Sequence, residues 1–157
     1  MDINRDDKAF RAINDLVETC KDGMKGYQTA AESVENPQIK SELSQFSQQR
    51  AQFASELESQ ARQIGFNTRQ ENTIEGAALD VAGAVHRGWI NLKSALSGND
   101  SKAVLNECEN GDAAALKTYE EALRVDTLPP TIKNVIEKQH SQILEAKNKI
   151  TALKQTV

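Results

Sequence analysis

Four residues near the end of the chain, Glu137-Lys138-Gln139-His140, have the Glu-x-x-His spacing that can bind iron from one helix face. A two-iron carboxylate site in a helical bundle needs this motif on two helices and one glutamate from each of two others. Glu18, Glu107 and Glu109 are available as the single glutamates. The second motif is missing, because the middle of the predicted helix over residues 37–64, where it would be needed, reads Ser47-Gln48-Gln49-Arg50-Ala51. We therefore predict no metal and no other cofactor.

Two cysteines are the remaining candidates for reactive side chains. Cys20 and Cys108 lie on apolar helical stripes, where a cysteine behaves as a small apolar residue. Neither belongs to a Cys-x-x-Cys motif or has a flanking basic cluster that would lower the pKa of its thiol. The sequence also lacks a Gly-rich phosphate loop, a Ser/His/Asp set and zinc-type cysteine spacing. No catalytic residue is predicted.

The elements that position these residues are helices, because apolar residues recur at helical spacing and no segment alternates as a strand does. Pro37, Pro129 and Pro130 mark helix starts, and Asn36 is placed to cap the second helix. The sequence predicts an all-α protein with a single domain over residues 1–157. The predicted helices cover residues 6–34, 37–64, 74–96, 102–124 and 130–155.

The middle segment, residues 74–96, is long enough to set the topology. At 1.5 Å per residue it spans roughly 34 Å, which is nearly the full length of the other helices. It can therefore carry the chain outside the bundle from one end to the other. This predicts a ferritin-like up-down-down-up four-helix bundle with a helical crossover between two hairpins. The match of Cys20-Lys21-Asp22-Gly23 with Cys108-Glu109-Asn110-Gly111 fits a duplicated helix pair.

A polar layer is predicted at mid-height, where Arg50, Asp112 and Gln139 replace apolar residues on the stripes. A buried arginine is costly unless it is paired, and Asp112 is its natural partner, with Glu18, Asp22 and Glu109 as alternates. We favour a structural layer that fixes helix register. Two alternatives stay open: an altered site that binds a small anion or other ligand, or an arginine that reaches water from the stripe's edge.

The predicted crossover contains His86-Arg87-Gly88-Trp89. We expect Trp89 to clamp the crossover onto the bundle, with Gly88 allowing two backbones to approach closely. The alternative is that His86 and Arg87 face a partner or an acidic ligand.

Four stretches of the chain, residues 14–23, 49–53, 86–93 and 107–112, carry a resemblance to a known family, and the His86-Arg87-Gly88-Trp89 stretch is the most specific. The chain resembles an uncharacterised bacterial four-helix-bundle family that is assigned to the ferritin-like group as a domain of unknown function. The resemblance covers nearly the whole chain. It implies a ferritin-like bundle, a bacterial cytoplasmic setting and a link with stress responses, and it implies no known activity.

Composition narrows the functional class further. The chain has 19 Lys and Arg against 23 Asp and Glu, a net charge of −4, which argues against a nucleic-acid partner. Its mean hydropathy is −0.59, and no apolar run approaches the roughly 20 residues of a membrane span. The first residues lack the apolar region of a signal peptide, so we expect a cytoplasmic protein.

We predict a non-enzymatic bundle that acts through protein contacts, as a homodimer or with another partner. The alternatives are a ferritin-like metal-dependent oxidoreductase or iron-handling protein, and a binder of a small anion or other ligand at the polar layer.

Overall fold

The computed structural model describes residues 3–66, 88–89, 91–98 and 100–157. Its regular elements are α1 (Ile3–Ser33), α2 (Pro37–Gln63), α3 (Leu92–Ser97), α4 (Ser101–Leu123) and α5 (Pro130–Lys154). No strand occurs among these residues, so the predicted all-α class is confirmed. The ends of the four long helices lie within three residues of the predicted ones. In this described part of the chain, no helix has the length and apolarity needed to cross a membrane.

Local sequence signals explain where the helices begin. Asn36 caps α2, because its side-chain oxygen accepts hydrogen bonds from the backbone N–H groups of Gln38 and Ile39 at 2.9 and 3.1 Å. Pro37 follows at the first helical position, where a missing N–H costs nothing. Asp100 caps α4 by accepting from the N–H of Lys102 at 3.0 Å. The short connections 34–36 and 124–129 make α1–α2 and α4–α5 two antiparallel hairpins.

The four long helices form a closed ring in which α1 packs against α2 and α4, and α5 packs against α4 and α2. Their apolar side chains form two clusters, one towards each end of the bundle. One cluster, which we call the lower cluster, consists of side chains from the first halves of α1 and α5 and the second halves of α2 and α4. It includes Ile13, Leu57, Tyr119 and Ile136. The upper cluster takes the opposite halves together with α3, and includes Tyr27, Leu43, Trp89, Leu105 and Ile150.

The predicted helix over residues 74–96 is wrong at residues 88, 89 and 91, which are not helical, whereas residues 92–96 are helical as predicted. Residues 74–87 and 90 lie outside the described residues, and the helical residues observed in this range belong to α3. Gly88 has a φ of +117°, a conformation that an α-helix does not contain and that glycine adopts readily. A Cβ atom at Gly88 would also lie 2.8 Å from Ala114 Cβ and 2.9 Å from the Asn110 carbonyl oxygen. The chain therefore leaves helical geometry here, where its backbone comes close to α4.

Candidate functional site

The middle of the bundle holds a buried ion pair between α2 and α4. Arg50 Nη1 donates to Asp112 Oδ1 at 2.7 Å, and the two side chains are 2% and 0% exposed. Tyr27, from α1, donates its hydroxyl to Asp112 Oδ2 at 2.5 Å, and its ring centroid lies 5.2 Å from Arg50 Cζ. The structure thus brings together the arginine and the aspartate that the sequence analysis paired. We call Arg50, Asp112 and Tyr27 the charged chain.

A second set of hydrogen bonds, the neutral chain, runs through Cys20, Tyr119 and Gln139. Tyr119 donates its hydroxyl to Gln139 Oε1 at 2.7 Å. Because that hydroxyl has one hydrogen, the Cys20 thiol is the donor in its 2.9 Å contact with Tyr119. Gln139 Nε2 donates to Glu56 Oε1 at 2.9 Å and to the Phe53 carbonyl oxygen at 3.4 Å. The neutral chain therefore joins α1, α4, α5 and α2.

Burial fixes the protonation states of these groups. It raises the pKa of Cys20 to about 11, and the hydrogen bond with Tyr119 and the charge of Arg50 only partly oppose it. The pKa of Cys108 also lies well above its usual range, through burial and then the charge of Asp112. Both thiols stay protonated at neutral pH and are poor nucleophiles. Burial likewise raises the pKa values of Tyr27 and Tyr119, so their hydroxyls remain donors.

Two helical glycines form a slot for the only tryptophan of the chain. A Cβ atom at Gly26 of α1 would lie 2.5 Å from the Trp89 ring, and one at Gly111 of α4 would lie 2.3 Å from it. Trp89 is 5% exposed and meets the Tyr27 ring edge-on, with centroids 5.3 Å apart. It therefore packs between α1 and α4 and touches the tyrosine of the charged chain. The other two residues of the predicted clamp, His86 and Arg87, lie outside the described residues.

Three predicted layer residues remain to be placed: Gln139, Glu109 and Glu18. Gln139 belongs to the neutral chain. Glu109 lies on the outer side of α4, where it pairs with Lys154 at 2.7 Å and accepts a hydrogen bond from Thr151. One residue past Cys108, it points about 100° away from the core, which explains why it does not join the layer. Glu18 lies on α1 and is 7% exposed.

The donor set at the centre does not fit the two-iron site considered from the sequence. The centre of the bundle already holds the Arg50 cation, and its positive charge repels a metal ion. His140 lies on the flank of α5 and pairs with Glu120 at 3.0 Å. Glu107 is buried, but its carboxylate accepts from the Asn91 backbone N–H and from Asn110 Nδ2, at 3.0 and 2.9 Å. Across residues 8–66, 88–89, 91–98 and 100–157, no three His, Cys, Asp or Glu side chains are grouped as a metal ion requires.

Four functional parts of this site were missed by the sequence analysis. The sequence predictions give Tyr27 and Tyr119 no role, although a buried tyrosine hydroxyl usually requires a hydrogen-bond partner. Gly26 and Gly111 were not assigned a role, although a glycine inside a helix costs about 1 kcal/mol relative to alanine and so signals close packing. Both signals are present in the sequence.

Comparison with known families gives a match. A family model described as a domain of unknown function, DUF2383, matches residues 8–125. No curated protein matches the chain. The matched range includes the charged chain, Cys20 and Tyr119, whereas Gln139 and the rest of α5 lie beyond it.

Proposed function

We propose a function for this chain, which belongs to the domain-of-unknown-function family DUF2383. It is a non-enzymatic ferritin-like bundle that acts through contacts with another protein. The partner is a second copy of the chain or a different protein. The observation that carries the proposal is the charged chain at the centre, whose two ions are 2% exposed or less. A substrate does not reach these groups in the closed bundle, so the outer surface is what remains for recognition.

The ferritin-like arrangement proposed here has support from the register of α1 against α4. Cys20 pairs with Tyr119 and Tyr27 pairs with Asp112, so a step of seven residues forward in α1 matches seven back in α4. These two helices therefore run antiparallel. Together with the two hairpins, this supports the order up-down-down-up for α1, α2, α4 and α5.

The setting of the protein is part of the same proposal. The resemblance to a bacterial four-helix-bundle family supports a bacterial cytoplasmic location and a role in stress responses. A groove of about 280 Å³ between α1 and α4, lined by Lys8, Arg11, Asp15, Thr118 and Glu121 among others, adds a mixed-charge surface outside the buried layer. A protein partner with complementary charges can pair with such a surface.

Elemental analysis tests the non-metal part of the proposal. Untagged protein, purified without chelator, would be incubated with ferrous iron in air and then freed of unbound metal. We expect far less than one iron per chain and no oxo-bridge absorption band. Near-stoichiometric iron in the wild-type protein, together with an oxo-bridge absorption band, would contradict the proposal.

In-cell photo-crosslinking tests the protein contacts. A photoreactive amino acid would replace Asp15 in the groove or Leu144, which is 43% exposed on α5. We expect a covalent adduct of one defined mass from at least one position, and its mass separates a homodimer from a complex with another protein. The buried position Leu43 provides the control that should give no adduct. No adduct from any exposed position, under stress or without it, would refute the proposal.

A further inference from the structure

Arg50 uses only part of its hydrogen-bonding capacity. Its Nε donates to Gln49 Oε1 at 3.2 Å and its Nη1 donates to Asp112 Oδ1 at 2.7 Å. Its Nη2 is buried, and no protein acceptor lies within hydrogen-bonding distance of it. A buried donor on a charged group that lacks an acceptor carries its full desolvation cost, so the fold gains stability from any acceptor that reaches this atom.

The neutral chain presents a complementary atom. The single thiol hydrogen of Cys20 is used on Tyr119, which leaves the lone pairs of Cys20 Sγ as acceptors. The Arg50 side chain lies against α1 at Gly23, three residues after Cys20, so the two chains approach each other at this point. Gly23, one turn after Cys20, gives the arginine room, because a Cβ atom there would lie 3.2 Å from Arg50 Cγ. A molecule that both accepts and donates hydrogen bonds can join the two chains here.

Charge selects the class of molecule. The single positive charge of Arg50 is already balanced by Asp112, which it contacts directly. The charge of Asp22 also acts on Cys20 and is negative. A bound anion would add a further negative charge without a second cation, which a buried site strongly disfavours. The ligand is therefore neutral, and water is the smallest neutral molecule that both accepts and donates hydrogen bonds.

We propose that Arg50 Nη2 forms a binding site for one buried water molecule, which accepts from the guanidinium and links the charged chain to the neutral chain. The two chains then form a single hydrogen-bonded layer that contacts all four long helices. Buried waters of this kind satisfy polar groups that protein atoms do not reach. The inference is independent of whether the protein acts through a partner.

High-resolution diffraction from crystals grown in sodium bromide, with data at the bromine edge, tests the site. We expect an ordered oxygen peak about 2.8–3.0 Å from Arg50 Nη2 without anomalous signal. An anomalous bromide peak there would establish an anion site and overturn the proposal. A guanidinium turned so that Nη2 meets a protein acceptor, with no peak beside it, would overturn it as well.

Solution NMR gives a second readout that does not depend on a variant folding. In ¹⁵N-arginine-labelled protein, we expect the Arg50 guanidinium hydrogens to show a dipolar cross-peak to a slowly exchanging water. The exposed Arg124 serves as the control, with rapid exchange alone. Arg50 hydrogens that show no water cross-peak, although they exchange slowly enough to be seen, would contradict the proposal.

Discussion

The charged chain and the neutral chain lie in the same layer and share one design. In each, a tyrosine on one helix forms a hydrogen bond with the neighbouring helix, Tyr27 of α1 with Asp112 and Tyr119 of α4 with Cys20. They differ in what burial does to them. Loss of one partner in the charged chain leaves a buried ion without a counter-ion. Loss of one partner in the neutral chain leaves only an uncharged polar group without a hydrogen bond. The charged chain therefore specifies the helix pairing strongly, and the neutral chain adds a smaller increment.

Asp112→Asn is the substitution expected to cost most. It keeps the shape of the side chain but leaves the Arg50 guanidinium buried without a counter-ion. We expect a loss of about 3–5 kcal/mol in the free energy of unfolding, measured by urea denaturation. The exposed Asp126→Asn is the control and should change stability by less than about 0.5 kcal/mol. Equal losses in the two variants would show that the ion pair is not a determinant of stability.

Gly111→Ala is expected to disturb the charged chain indirectly, through the contact of Trp89 with Tyr27. Its Cβ atom would lie 2.3 Å from the indole, so the ring must move away from Tyr27. We expect a loss of about 3 kcal/mol, the upper part of the usual range for overpacking. Trp89 is the only tryptophan, so its fluorescence emission should shift to longer wavelength as the ring meets water.

Gly98→Ala is the matched control for the glycine slot, since the nearest atom to its Cβ would be 3.7 Å away. Its emission spectrum should equal that of the wild type. If Gly111→Ala keeps the wild-type spectrum and stability, Trp89 does not occupy the slot in solution.

The two tyrosines compare the chains directly. Tyr27→Phe removes a hydrogen bond to an ion, and we expect a loss of about 1.5–3 kcal/mol. Tyr119→Phe removes hydrogen bonds between neutral groups, and about 1 kcal/mol is expected. Chemical denaturation of both variants gives the difference. A larger loss for Tyr119→Phe would reverse the proposed ranking of the chains.

Glu109→Gln should have the smallest effect, because its ion pair with Lys154 lies near the surface. Partial burial works against ionisation of Glu109, but hydrogen bonds from Lys154 and Thr151 lower its pKa below the ordinary 4.5. Its stabilising contribution is therefore present above pH 4.5 and is lost as the pH falls through the lower, folded-state value. We expect wild type to exceed Glu109→Gln by less than about 1 kcal/mol at pH 7.

Urea denaturation across pH checks this expectation. The difference between wild type and Glu109→Gln should close as the medium is acidified below pH 4.5. A difference that instead grew on acidification would assign the opposite sign to the effect of Lys154.

Much of the fold followed from periodicity, because apolar stripes and proline positions determine where long helices run. The Arg50–Asp112 pair also followed, since both residues interrupt a stripe at mid-height. The prediction that Glu109 belongs to the central layer is wrong, because it rests on the position of Glu109 along the helix and not on its rotation of about 100° from Cys108. The break at Gly88 was not predicted. Its φ angle depends on how close the α4 backbone lies, and the spacing of apolar residues within one segment carries no information about that distance.

A double-mutant cycle on Arg50→Met and Asp112→Asn tests the central claim, that a charge pair holds the middle of the bundle. Each single variant leaves one buried ion, whereas the double variant leaves none. We predict that the double variant is more stable than Asp112→Asn alone, when all four proteins are unfolded in urea. If the losses of the two single variants simply add, the two side chains are not coupled and the account of the central layer is wrong.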